Sequence, residues 1–235
     1  MNVELLSYTE NPVGTCVRAA QTCYNSYDEN NPLTPIAEEG YINGVIKSGH
    51  LSVLEHASFT FKIEGVSRAL SHQLVRHRIA SFSQQSQRYV RMDEPTYVTP
   101  PLISGEGYCY TSDLGTTMRE AKKQELFEHA MCTAWDVYKA LVTLGVPAED
   151  ARFVLPNACT TELVMTMNAR ELHHFFNLRC CNRAQWEIRA MANEMLELCK
   201  EVAPALFKMA GASCARGPCP EGSRSCKGDG KPVLD

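Results

Sequence analysis

The sequence predicts an α+β fold: a single domain with a central, mostly antiparallel sheet flanked by helices. Three observations predict it. Segments with the two-residue period of a half-buried strand are few and far apart, at Phe59, Phe61 and Ile63 and at Leu163, Met165 and Met167. Longer segments with helical period lie between and after them, as from Phe127 to Leu144 and beyond Asn182. The chain has 235 residues, 44% hydrophobic and 21% charged, enough for one sizeable core in an ordinary globular protein.

The elements follow in order. Val3 to Ser7 reads as an opening strand, and Cys16, Ala19, Ala20 and Cys23 recur at helical spacing. Pro35 to Lys47 reads as a helix with Ile36, Ile42, Val45 and Ile46 inward and Gly49 at its end. After the strand of Phe59, Phe61 and Ile63, Gly65 is a break, and a helix is expected from about Val66. Its inward stripe is Val66, Leu70, Gln73 and His77, apolar and then polar, which suggests a core face that meets a cavity. Asp93 to Gly115, rich in Pro, Gly, Ser and Thr, reads as a long surface excursion. Phe127, Ala130, Met131, Ala134, Tyr138, Leu141 and Leu144 form an amphipathic helix ended by Gly145 and Pro147, and a short helix carries Arg152. Asn168 with Glu171, and Asn182 with Gln185, have the spacing of capping boxes. Ile188, Ala192, Met195, Cys199 and Val202 face inward on the last long helix. The predicted domain is 1–210, with a Cys/Gly/Pro-rich tail over 211–235.

Charge narrows the function. The net charge of -4 argues against a general nucleic-acid or membrane-surface binder, and no apolar run approaches the about 18–20 residues of a membrane span. The first ten residues lack the basic and apolar regions of a signal peptide, so a cytoplasmic protein is expected, with its eleven cysteines as thiols or metal ligands. Yet between Glu64 and Asp93 there is no acidic residue, while five arginines and two histidines gather there without a lysine. Arginine forks grip phosphate and carboxylate bidentately, so this segment predicts an anion pocket. Ser81, Ser83, Gln84, Gln85, Ser86 and Gln87 interleave the charges and suit the edges of a polar ring.

Arg76-His77-Arg78, seven residues and then Ser86 resembles the signature of the flavin-dependent thymidylate synthases. Leu54-Glu55-His56-Ala57-Ser58-Phe59-Thr60-Phe61 resembles the segment before that signature. Ala151-Arg152 with Leu155-Pro156, Asn168-Ala169-Arg170, Asn177-Leu178-Arg179 and Ala184-Gln185-Trp186-Glu187 resemble the C-terminal half in order and spacing.

The resemblance implies an FAD-dependent homotetramer with shared active sites. It would methylate dUMP to dTMP with methylenetetrahydrofolate as carbon donor and NADPH as reductant. Position by position, it implies dUMP contacts at Gln73, Arg76, Gln84, Gln85, Ser86, Gln87, Arg88, Arg152 and Arg179. It implies flavin contacts at His56, Ser58, Arg76, His77, Arg78, Asn168, Arg170 and His174. Arg179 would be the catalytic residue, an unchanging cation that favours the uracil N3 anion and so pushes electron density toward C5. Gln84 stands where many relatives carry an acidic residue, and His174 where some carry Asn.

Two other functions compete: a thymidylate synthase with a cysteine nucleophile, and a non-catalytic nucleotide- or RNA-binding module. No cysteine lies within the Arg/Ser segment, and Cys16, Cys23 and Cys199 lie on apolar helix faces, where a thiol behaves as a small hydrophobe. A nucleic-acid module would need stacking platforms, and only Phe82 and Tyr89 are near. Cys214, Cys219 and Cys226, with Cys180 or Cys181 as a fourth, could form a structural zinc site, a disulfide or redox pair, or remain unpaired thiols.

Overall fold

Strand and helix periods are realised in the computed structural model, which describes residues 1–103, 108–113, 117–215 and 217–226, without the side chains of 108–113 and 117–121. Strand β1 (Asn2–Tyr8) leads into α1 (Pro12–Cys23), and α2 (Pro35–Lys47) follows. Asn11 caps α1 from the left-handed region (φ 50°), its Oδ1 accepting from the Gly14 N–H at 3.0 Å. Thr34 caps α2, with Pro35 at the first helical position, where its missing N–H costs nothing. A 3-10 turn (Leu51–His56) precedes β2 (Ser58–Ser67), α3 (Arg68–Leu74) and β3 (Ala80–Gln84). The hairpin β4 (Tyr108–Asp113) and β5 (Thr117–Lys122) leads to α4 (Lys123–Thr143), α5 (Ala148–Ala151) and a 3-10 turn (Arg152–Val154). Then come β6 (Thr160–Asn168), α6 (Ala169–Arg179), α7 (Trp186–Val202) and α8 (Pro204–Phe207).

The α+β class is found. The main sheet has the order β1-β2-β6-β3, with β1 antiparallel to β2 so that Val3 faces Ile63 and Leu5 faces Phe61. Phe59, Phe61, Ile63, Leu163, Met165 and Met167 are buried, as their alternation predicts.

The chain groups into two compact units, interleaved in sequence. The first comprises residues 1–64, 72–83 and 163–235. Its core joins the sheet to α6 and α8 through aromatic rings: Phe59 meets Phe207 edge-on at 5.2 Å, and Phe176 meets Phe207 at 6.1 Å. The second comprises residues 65–71 and 84–162, with a core of Met92, Trp135, Tyr138, Ala151 and Cys159.

Several expectations change. Gly65 does not end β2; with φ 65° it bends a strand that runs on to Ser67, so Val66 is a strand residue and α3 begins only at Arg68. Ile36 is 85% exposed because it sits in the first turn of α2, while Ile42 carries the burial. On α4, Met131, Trp135 and Tyr138 are buried, whereas Leu144 is 80% exposed at the C-cap. Trp135, outside the predicted stripe, is buried at 1% exposure. The cap of α7 is Gln185 itself, whose Oε1 accepts from the Glu187 and Ile188 N–H groups at 3.0 and 3.1 Å, and Asn182 is not the cap. Strand β3 was not foreseen: its Ser/Gln-rich sequence has no apolar alternation. The excursion over 93–115 contains β4 and a bridge from Tyr97 to Cys159, and its end lies outside the described residues, as does the tail from 227 to 235.

Candidate active site

One helix face organises the site. Asn168 both ends β6 and caps α6, its Oδ1 accepting from the Glu171 N–H at 2.9 Å. This is the capping arm that the Asn168/Glu171 spacing predicts. The Glu171 side chain, however, goes to His77: its Oε1 lies 3.0 Å from His77 Nδ1. Glu171, Phe175 and Arg179 follow at steps of four residues, so they share one side of α6, and all three meet the same imidazole. Phe175 packs edge-on against it at 5.0 Å, and Arg179 Nε donates to His77 Nε2 at 3.1 Å. His77 itself is only 4% exposed, on the turn that follows α3.

The donors fix the proton. Arginine has no acceptor, so His77 Nε2 must present its lone pair to Arg179. His77 is therefore neutral, with its proton on Nδ1 and donated to Glu171. Burial, the largest cause, pushes the His77 pKa below its ordinary 6.5, and the Arg179 charge adds to this, against the opposing pull of Glu171. Burial also lowers the Arg179 pKa, from a value so high that it remains a cation.

A cavity of about 600 Å³ lies along the start of α6, lined by Glu55, Asn168, Arg170, His174 and Asn177 with apolar walls at Leu51 and Ile79. Arg170 reaches across to the Glu55 carboxylate, and exposed His174 sits 5.8 Å from the His77 ring. His77, Glu171 and His174 bring potential metal-ligand atoms within 4.8 Å of one another. Both His77 nitrogens are already engaged, one of them by a guanidinium, so a metal would have to displace Arg179. The donor set suits an anion or a polar heterocycle better.

Other candidates of this unit stay at its surface. His56 is exposed at the end of the 3-10 turn. Ser58 is exposed, with its backbone N–H bound to Thr9 Oγ1 at 2.9 Å. Arg76 and Arg78 flank His77 and point outward, and Gln73 is half-buried.

The second unit holds the remainder. Gln84 Nε2 donates to Thr161 Oγ1 at 3.1 Å, and the Gln85 N–H to the Glu162 carbonyl at 2.9 Å. Ser86 Oγ accepts from the Arg88 N–H at 3.2 Å. Arg88 Nε donates to Glu149 Oε2 at 3.0 Å, and Arg152 Nε to the Glu149 carbonyl at 3.1 Å. Buried Gln87 donates to Cys159 Sγ at 3.4 Å. Cys159 is thus the one cysteine the described structure brings against the Arg/Ser segment, and burial raises its pKa, which disfavours the thiolate. Cys23, expected inward, is exposed.

Sequence reasoning missed Glu171 as a histidine partner, Glu55 as the counter-ion of Arg170, and Arg68. Burial, the largest cause, lowers the Arg68 pKa; Cys159 opposes this and the Arg152 charge adds to it, so two guanidiniums lie close together. The signal for Glu171 was present, as a carboxylate four and eight residues before Phe175 and Arg179 on one helical face.

Fold and site define an α+β protein with a buried Glu171–His77–Arg179 chain and a polar-lined cavity along α6. Residues 4–205 match the family model described as thymidylate synthase complementing protein. The chain is 52% identical to a flavin-dependent thymidylate synthase of Geobacter sulfurreducens over 229 residues, covering 96% of this chain and 94% of that protein. It is 46% identical to the flavin-dependent thymidylate synthase of Clostridium tetani, over 96% and 93%. To that of Sulfurisphaera tokodaii it is 43% identical, over 91% and 79%. The chain belongs to the flavin-dependent thymidylate synthase family.

Proposed function

We propose that this chain methylates dUMP to dTMP, taking the carbon from methylenetetrahydrofolate and reducing equivalents from NADPH through bound FAD. The observation that carries the reading is the Glu171–His77–Arg179 chain, which holds a permanent cation in one orientation, while Glu171 at its other end lines the larger polar cavity. Family membership supplies the reaction to which such a cation belongs.

The residues fit both ligands. Arg170, Asn168, His174 and Asn177 over the apolar walls of Leu51 and Ile79 suit a flat heterocycle with polar edges, and they would hold the flavin together with His56, Ser58 and the Arg76-His77-Arg78 turn. When bound, the flavin carries the redox chemistry, while the protein supplies orientation and field. Gln73, Arg76, the Gln84–Arg88 segment and Arg152 would hold dUMP, with Arg68 as a further phosphate contact beside Arg152. Neighbouring guanidiniums repel each other until a dianionic phosphate joins them. Arg88 would exchange its exposed partner Glu149 for that phosphate.

Arg179 does its work at the uracil ring. A cation beside N3 favours loss of the N3 proton, and the resulting anion directs electron density to C5, the carbon that receives the methyl group. The Arg179 Nε–H is committed to His77, so the terminal nitrogens are the ones that face a ligand.

The same proposal includes a homotetramer with shared sites, a catalytic domain over 1–210 and a separate tail over 211–235. It also includes residence in the cytoplasm, where reduced thiols persist. No helix among the described residues is long and apolar enough to cross a membrane. The cysteine-nucleophile reading has one specific candidate, Cys159, and its burial weighs against it.

Purified protein supplied with dUMP, methylenetetrahydrofolate, NADPH and FAD tests the reading. It predicts dTMP formation that requires FAD and survives Cys159→Ser. Turnover without FAD, or its abolition by Cys159→Ser in a folded protein that still binds dUMP, would overturn it.

A further inference from the structure

Beside Arg179 lies a second cavity, of about 310 Å³, which the reaction above does not use. Four cysteines from two separate chain segments line it: Cys181, just beyond α6, and Cys214, Cys219 and Cys226 of the tail. Of the adjacent pair Cys180-Cys181, only Cys181 faces this space, while burial pushes the Cys180 thiol up to about 11. Four thiols on one void are the complete donor set of a tetrahedral structural metal site.

An independent observation asks for a cross-link there. Apart from Pro218 and Pro220, the segment from Gly211 to Cys226 has no aliphatic side chain larger than alanine, and it has no aromatic one, so it has little with which to build a core. It nevertheless folds into two 3-10 turns, Ser213–Ala215 and Gly222–Arg224, against residues 177–183. The contacts that dock it are polar: Ser213 Oγ to Asn177 Oδ1 at 2.7 Å, Arg183 Nη1 to the Arg224 carbonyl at 2.8 Å, and Asn182 Nδ2 to Cys226 Sγ at 3.7 Å. Polar contacts of this kind, two exposed and one part-buried, are individually weak. Segments without a core are ordinarily held by metals or disulfides.

We propose that Cys181, Cys214, Cys219 and Cys226 bind one zinc ion, which clamps the tail onto the end of α6. The four sulfurs line the void without converging to ligand spacing, so closure on the ion requires rotation about their Cα–Cβ bonds and tightening of the two turns. Zn–S bonds of about 2.3 Å then form as the four thiols release their protons to solvent. No electron is transferred. Because Arg179 lines the same cavity, the clamp braces the segment that carries the catalytic cation.

The test is cobalt titration of the full-length reduced protein, with zinc competition. The expected result is one cobalt per chain, with the intense visible bands of tetrahedral thiolate coordination, displaced by one equivalent of zinc. Cys219→Ser should abolish the bands and Cys23→Ser, which does not line this cavity, should retain them. Absence of thiolate-type bands overturns the proposal, with cobalt bound without them pointing instead to His77, Glu171 and His174; bands unchanged in Cys219→Ser also overturn it, since other cysteines would then be the ligands. Intact-mass analysis of the protein isolated without reductant gives a second arm. The mass of the chain with all eleven cysteines reduced, with one zinc retained under native conditions, supports the clamp, and loss of two hydrogens per cysteine pair would replace it with disulfides.

Discussion

Arg179 and His77 show how a residue's role is set by what holds it. Lysine at position 179 would keep the charge but lose the fork, and its single ammonium could not bond both His77 and a ligand in a fixed plane. Arg179→Lys should therefore lower kcat about 10²–10³-fold, the scale of one preorganised electrostatic contact, while the Kd for dUMP changes far less. Steady-state kinetics beside calorimetry would check this, and unchanged kcat would remove the role. His77 adds a pH dependence. Its folded pKa is depressed, so the unfolded chain binds this proton first as pH falls, and stability from this group is present above about 6.5 and lost below it. Protonation also turns Nε2 into a donor facing a donor, so Arg179 loses its anchor and activity falls on the same acid limb. Glu171 is the group that raises the His77 pKa, so Glu171→Gln should move that acid limb to lower pH in the rate profile. An unmoved or raised limb would show that another group sets it.

At the scale of elements, α6 carries the site because its cap and its register agree. Asn168 starts the helix where β6 ends, and that start fixes which side Glu171, Phe175 and Arg179 share. Asn168→Ala should cost about 0.5–2 kcal/mol of stability through the lost cap, read by urea unfolding. A larger loss of flavin affinity than of stability would mark a direct ligand contact. Much of this element was legible in the sequence: the Asn168/Glu171 spacing, the buried alternation of β6 and the basic turn at Arg76–Arg78 were all visible. What escaped depended on tertiary partners. Glu171 satisfied a capping pattern, so nothing local marked it as the partner of a histidine 94 residues away. Strand β3 has the polar sequence of a loop and gains its strand conformation from pairing beside β6. Gly65, a breaker by propensity, instead lies within β2 at φ 65°.

For the whole molecule, the ligand candidates divide between the two units, with the His77–Arg179 chain in the first and the Gln84–Arg88 segment in the second. Sequence order alone could not reveal this, since residues 65–71 and 84–162 alternate with the first unit along the chain. The proposed function requires one protein that binds both FAD and dUMP, with Arg179 acting on the nucleotide. The most direct measurement is the visible absorption spectrum of the protein titrated with FAD and then with dUMP. The account predicts flavin bands that bind stoichiometrically and shift when dUMP is added, with the dUMP-induced shift diminished in Arg179→Lys. A protein that binds no flavin, or flavin bands indifferent to dUMP, would contradict it.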